Sequence, residues 1–401
     1  MKNETAKRFK RVRLLDIAHI FLFLIAFPIG KLYSLKRKNI WLLCEYRDEA
    51  RDNAYWLFKY LREQQPHIDA IYAINKKSKD FKKVSTLGQT VSYGSFKHWI
   101  YYIAARMNIS TQKGGKPNAA VCYVLEVRGI WKNTRIFLQH GVVLSELPYL
   151  FYKNAKLSLI MCGAYPEYLS LKSSYGYPED SICYTGMCRF DRLHDAVRDK
   201  SKILIVPTWR DYIYSAASSS QEFEQTEYFK QWSALLNSSK LEQLLTQYDM
   251  NVLFCPHRNM QKLGASFKSS SPRIAVVSWD KIDISKEIES ASVMITDYSS
   301  ISVDFAYMKR PVLYYQFDRE HFRSDHLKKS YFDFEDDGFG PVCEDADALT
   351  EKLLAVLEDE CYPQEQYLKR HEQFFKLYDN KNCLRTYEQI ADYVDKGNED
   401  V

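Results

Sequence analysis

The sequence predicts an α/β protein built from two doubly wound domains, with an apolar membrane-associating helix ahead of them. Three observations predict it. From residue 40 onward short apolar runs alternate with amphipathic stretches, a second such series begins near residue 202, and a base-flanked apolar segment precedes both. A length of 401 residues suits two large domains with appendages. With 46% hydrophobic residues and only 14 Gly and 12 Pro, disordered and collagen-like chains are excluded. Nine cysteines, an odd number with no C-x-x-C pair, argue against a disulfide scaffold and for a reducing cytoplasm.

Taking the elements in order, residues 1–39 form a basic and apolar membrane-anchoring segment. Residues 1–40 hold ten Lys and Arg against two acids, and the remaining chain holds 46 bases against 49 acids. A nearly neutral body argues against nucleic acid as a partner. Between the basic clusters lies IAHIFLFLIAFPI, residues 17–29. As a helix it is roughly 20 Å long, short of a bilayer core, and bases on both sides favour a monotopic anchor on anionic lipid at the cytoplasmic face. The rival is a helix packed on the first domain.

Residues 40–195 are read as the first domain, with strands IWLLC (40–44), IDAIYAI (68–74), RIFLQ (135–139) and LSLIMC (157–162), and helices at 54–64 and 96–107. Residues 196–401 are read as the second, with strands KILIV (202–206), NVLFC (251–255), IAVVSW (274–279), VMIT (293–296) and PVLYYQ (311–316), and helices after residue 345. Ligands of such sheets bind beyond the carboxyl ends of the strands, so the site is expected in a cleft between the domains. Serine-rich residues 215–220 and 269–271 are read as mobile loops.

Polar clusters follow several strands. In TDYSS, Asp297 makes a turn and Ser299 and Ser300 open a helix with Asp304 on the same face, an arrangement suited to an anion and equally to an ordinary N-cap. VPTWRD places Arg210 where it forks onto phosphate oxygens or pairs with Asp211. CPHRNM places His257 beside Arg258. RIFLQHG sets His140 and Gly141 directly after a strand, where the imidazole serves as a general base or as a structural histidine. No carboxylate cluster announces a metal, no cofactor is required, and Asp297 and Asp304 leave room for Mg²⁺.

Together these motifs resemble the CDP-glycerol glycerophosphotransferase family, the teichoic acid polyol phosphate transferases of Gram-positive cell walls. The resemblance rests on TDYSS, DFA, KRPVLYYQFD and SYFDFEDDGFGP between residues 296 and 341. GMCRFDRL (186–193), VPTWRD (206–211) and ARDNAYWLFKYL (50–61) extend it, so that it covers roughly residues 40–380. It implies a GT-B fold of two Rossmann-like domains, an N-terminal acceptor domain and a C-terminal CDP-donor domain. It implies transfer of glycerol phosphate from CDP-glycerol to a polyprenyl-linked acceptor with release of CMP. On this resemblance His140 is the catalytic base, Arg210, His257, Arg258, Ser299 and Ser300 bind the donor diphosphate, and Gly141, Asp211, Asp297 and Asp304 support them. Where the family carries H-G-T-P-L-K, this chain reads HGVVLSE. The alternatives are a CDP-ribitol-dependent or capsular transferase, a UDP-sugar glycosyltransferase of GT-B type, and a non-catalytic membrane scaffold.

Overall fold

A computed structural model of the chain describes residues 14–210, 213, 219–320, 322 and 330–399. The basic residues from Lys2 to Arg13, the supporting residue Asp211 and most of the first serine-rich stretch lie outside the described residues. The chain divides into two compact units. One comprises Met1–Val142, Leu147–Asp191 and Asp379–Val401, the other Val143–Glu146 and Arg192–Tyr378.

The first unit holds β1 (Ile40–Cys44), β2 (Asp69–Ile74), β3 (Thr90–Ser92), β4 (Met107–Ser110), β5 (Arg135–Phe137), β6 (Leu159–Cys162) and β7 (Ile182–Tyr184). They form one parallel sheet in the order β3-β2-β1-β4-β5-β6-β7. Continuous apolar strands such as IWLLC, buried at every position, are what a sheet covered on both faces demands. One face is covered by the helix Asn53–Gln64, through Leu57, Phe58 and Leu61.

The C-terminal helix Asn382–Glu399 covers the same face, with Cys383, Ile390 and Val394 in that core. This corrects the sequence reading, which assigns everything after residue 196 to the second domain. The physical reason is a cap from the first unit: Asp191 accepts from the backbone N–H of Asn382 at 2.7 Å and of Cys383 at 2.8 Å. Gly186 makes the approach possible, because its φ is +76° and a Cβ there would sit 1.7 Å from Asn382 Oδ1.

The apolar N-terminal segment is a helix over Leu14–Lys36, 23 residues and about 34 Å at 1.5 Å per residue. It is thus longer than the 17–29 segment expected, because the basic and aromatic residues after Pro28 continue the helix. His19, Phe23, Ala26 and Gly30 form a buried stripe on it. That stripe packs on the helix Phe96–Ala104, which covers the other face of the sheet. A Cβ on Gly30 would lie 2.7 Å from the Ile103 side chain, so the two helices touch almost backbone to backbone. Trp99 Nε1 donates to His19 Nδ1 at 2.9 Å, and Asn118 donates to Asp16 at 2.8 Å. The opposite face presents Leu14, Leu15, Ile17, Ile20, Phe21, Leu24, Ile25, Ile29, Leu32 and Leu35 to the outside.

The second unit holds β8 (Asp199–Val206), β9 (Asn251–Phe254), β10 (Ile274–Val276), β11 (Ala291–Thr296), β12 (Val312–Tyr315) and β13 (Val342–Cys343). Its parallel sheet runs β10-β9-β8-β11-β12-β13. Trp232, Tyr228, Phe254, Phe267 and Tyr315 anchor the core on one face. Residues 269–271, read as a mobile loop, are instead pinned: Ser269 Oγ donates to the Leu236 carbonyl at 2.7 Å and accepts from Ser271 N at 3.2 Å. All nine cysteines are buried and unpaired.

Candidate active site

In the first unit polar residues that follow β1, β5 and β7 gather at the carboxyl end of the sheet. β5 stops at Phe137, and Gln139 then takes a φ of 60°, a conformation that costs a side-chain-bearing residue about 1 kcal/mol or more. The surroundings hold it there. Gln139 Nε2 donates to the Met161 carbonyl at 2.9 Å and to Glu167 Oε1 at 3.1 Å, while its own carbonyl accepts from Asn53 Nδ2 at 2.8 Å. The turn puts His140, followed by Gly141, on the rim of the sheet with 69% of its side chain exposed.

His140 is oriented from behind. Its Nδ1 lies 2.5 Å from Asp52 Oδ2, and Asp52 Oδ1 accepts from Arg189 Nη1 at 2.7 Å. The same Arg189 nitrogen donates to the His140 carbonyl at 2.8 Å, and Arg189 N donates to Asn53 Oδ1 at 3.1 Å. Three distant segments, 52–53, 139–140 and 189, therefore close on one imidazole. Burial works against charge on Asp52, but the charges of His140 and Arg189 and the hydrogen bond to His140 outweigh it and hold the carboxyl below its ordinary range.

Glu45, at the end of β1, supports Asp52 from the other side. Its carboxyl oxygens accept from the backbone N–H groups of Arg51, Asp52 and Tyr55 at 2.8, 3.0 and 2.8 Å. Full burial and the charge of Asp52 nevertheless push it up to about 8. Sequence reasoning finds His140 from its place after a strand and misses Asp52, Arg189 and Glu45. The only signal for them is that the motifs ARDNAYWLFKYL and GMCRFDRL contain two of the three.

In the second unit β9, β8 and β11 are neighbours, so their carboxyl ends bring His257, Trp209 with Arg210, and Asp297 through Ser300 side by side. Arg210 is not presented to a ligand. Its side chain is wholly buried, with Nε and Nη2 on Asp318 at 2.8 and 3.0 Å and Nη1 on the Thr208 carbonyl at 2.8 Å and Asp297 Oδ2 at 2.9 Å. Asp297 Oδ1 accepts from Thr208 N at 2.8 Å and Tyr298 N at 2.7 Å. Burial opposes the charge on Arg210, yet Asp297 and Asp318 more than offset it and raise its pKa. The sequence reading of Arg210 as a diphosphate ligand is thus corrected: its fork is spent on two carboxylates, and it fixes the loops after β8 and β11.

His257 lies near the rings of Trp209 and Trp279, at 6.4 and 6.0 Å between centroids, and its Nδ1 accepts from Asn259 N at 3.2 Å. Arg258 is exposed beside it. Ser299 and Ser300 are half-buried, Ser299 Oγ accepts from Ile301 N at 3.3 Å, and Ser300 makes no capping bond with its side chain. Asp304, in the helix Ile301–Tyr307, is buried. A cavity of about 760 Å³ beside the Arg210 network is lined by Glu227, Asp318, Glu320 and Glu344 against Arg319, a balance that disfavours an anion. Among the described residues no three of His, Cys, Asp and Glu are grouped as metal ligands.

Comparison with known proteins gives a consistent result. A family model described as CDP-glycerol:poly(glycerophosphate) glycerophosphotransferase matches residues 25–392. The chain is 30% identical over 368 residues to the minor teichoic acid biosynthesis protein GgaB of Bacillus subtilis (strain 168), covering 89% of this chain and 40% of that protein. It therefore spans about two-fifths of that relative's length. It is 25% identical over 371 residues to a teichoic acid poly(glycerol phosphate) polymerase of Bacillus spizizenii (strain ATCC 23059 / NRRL B-14472 / W23), covering 83% of this chain and 87% of that one. Among solved structures, the wall teichoic acid polymerase TagF shares the fold at a TM-score of 0.65 and 16% identity, over 98% of this chain and 99% of that one. A variant of the same polymerase has been solved after soaking with CDPG.

Proposed function

The chain belongs to the CDP-glycerol:poly(glycerophosphate) glycerophosphotransferase family, and from that premise we propose that it transfers glycerol phosphate from CDP-glycerol to a hydroxyl of a polyprenyl-linked acceptor in teichoic acid synthesis. The observation that carries the reading is the imidazole of His140 clasped by Asp52 and Arg189 at the rim of the first sheet. With Nδ1 engaged by the carboxylate, Nε2 is the nitrogen that takes a proton. The acceptor oxygen attacks the phosphorus bearing glycerol and its proton passes to Nε2. The bond from that phosphorus to the oxygen bridging to CMP breaks, and CMP leaves with that oxygen. Asp52 stabilises the imidazolium so formed. His257, Arg258, Ser299 and Ser300 are the proposed donors to the diphosphate, with Asp297 and Asp304 supporting their loops and Arg210 positioning them from within.

The N-terminal helix supports a place on the membrane surface. One of its faces is packed along the first unit and the other is apolar and exposed, so it lies in the plane of one leaflet rather than crossing it. This brings a folded catalytic body to a lipid-linked substrate at the cytoplasmic face.

Purified protein incubated with a lipid-linked saccharide acceptor and CDP-glycerol, CDP-ribitol or a UDP-sugar separates the donors. Release of CMP from CDP-glycerol, dependent on acceptor, is the expected result. CMP from CDP-ribitol alone reassigns the donor, and UDP release alone overturns the transfer of a polyol phosphate.

A further inference from the structure

The rim that carries His140 also carries a series of cations that the proposed chemistry leaves unused. β2 ends at Ile74 and is followed by NKKSKDFKK, residues 75–83, with five lysines against one acid. Lys76, Lys77 and Lys79 are exposed. The single acid, Asp80, is buried and already answered by Arg51 at 2.8 Å and Lys83 at 3.5 Å. Beyond β1 comes Arg47, 64% exposed and 3.1 Å from Asp48. Asn75 ties these two strand ends together, its N–H donating to the Arg47 carbonyl at 2.7 Å and its side chain to Asp48 at 2.7 Å. Beyond β4 comes Lys113, exposed, its ammonium 4.9 Å from the Tyr149 ring and 5.7 Å from the Tyr123 ring.

Because the strand order is β2-β1-β4-β5, these cations stand at successive steps leading to His140. Three steps at about 4.8 Å put the lysine run roughly 14 Å from the end of β5. A glycerol phosphate repeat has six backbone bonds and spans roughly 7 Å at about 1.2 Å per bond, the reach per bond of an extended chain. About two repeats thus separate a terminal hydroxyl at His140 from a phosphodiester over Lys76–Lys79.

We propose that Lys113, Arg47 and the lysines Lys76, Lys77 and Lys79 form an extended subsite for the phosphodiesters of a polyanionic acceptor chain whose terminal hydroxyl is delivered to His140. This rests on the proposed transfer reaction and deepens it, since it makes the enzyme prefer acceptors that already carry several phosphodiester units. Exposed lysines can be exchanged without touching the core, the His140 pair or the residues assigned to the donor.

The test uses the whole protein and the triple variant Lys76→Gln, Lys77→Gln, Lys79→Gln, with a fluorescent synthetic glycerol phosphate hexamer as probe. Direct binding of the hexamer without donor is expected to weaken about tenfold, two- to threefold per lysine as for exposed ion pairs. The KM for hexamer-bearing acceptor should rise in parallel, while the KM for an acceptor with one glycerol phosphate and the KM for CDP-glycerol stay within twofold. The gap should close near 1 M salt, where screening falls to about 3 Å. Equal hexamer binding by both proteins overturns the proposal. So does loss of binding to anionic vesicles with hexamer binding unchanged, which makes the patch a lipid contact. If wild-type protein turns over no CDP-polyol yet the variant loses the hexamer, the subsite stands and the transfer reaction is what fails.

Discussion

Replacing Asp52 by Asn separates the charge behind His140 from every other role of that side chain. Asp52 Oδ1 caps the helix Asn53–Gln64 through Asn53 N at 2.8 Å and accepts from Arg189, and an Asn side-chain oxygen can do both. What Asn cannot supply is the carboxylate oxygen at 2.5 Å from His140 Nδ1. Its amide would donate to Nδ1 and favour the tautomer protonated at Nε2, which accepts no proton. Two unit charges about 4 Å apart at an effective dielectric of 20 interact by about 4 kcal/mol. His140 is 69% exposed, so solvent reduces this toward the ~1.5–3 kcal/mol of a charge-assisted hydrogen bond. That corresponds to a roughly 10- to 100-fold fall in kcat. The assay is CMP release at saturating CDP-glycerol and acceptor, with donor affinity measured alongside and expected to hold, and with a cooperative melting transition, lowered by the loss of the Asp52 charge, showing that the variant is folded. Turnover within twofold of wild type would show that Asp52 does not orient or stabilise the base, and the reasoning from geometry to role would fail.

Two further outcomes follow from the same structure. Glu45 ionises near 4.5 in the unfolded chain and only at about 8 when folded, so the folded state holds the extra proton and stability falls as pH rises between those values, by up to ~1.4 kcal/mol per pH unit. Glu45→Gln should flatten that slope in urea titrations at pH 5.5 and 7.5, and parallel slopes in the two proteins would refute it. The double variant Ile20→Glu, Leu24→Glu alters only the exposed face of the N-terminal helix. Sedimentation with anionic vesicles should fall at least tenfold while the melting temperature stays within a few degrees, and undiminished sedimentation would remove the helix from membrane binding.

Legibility in the sequence followed the range of the interactions that decide each feature. β1 and β11 were readable because strands buried on both faces are continuous apolar runs. β3 and β13 escape notice because runs of only two or three residues become strands only beside their neighbours, and Met107, which looks like the end of a helix, instead opens β4. His140 is visible because its setting is local. Asp52 is not, since its meaning comes from an imidazole 88 positions away. Arg210 was misread for the same reason: Asp318, which takes its fork, is 108 positions distant. The C-terminal helix belongs to the first unit through Asp191, another pairing that no local pattern records.

The central claim is that His140 removes the acceptor proton. Single-turnover CMP release from CDP-glycerol by His140→Ala, with wild-type protein in parallel and donor affinity measured in both, addresses it directly. Loss of at least ~10² in rate with donor affinity kept is the predicted result. Turnover at the wild-type rate would contradict the account.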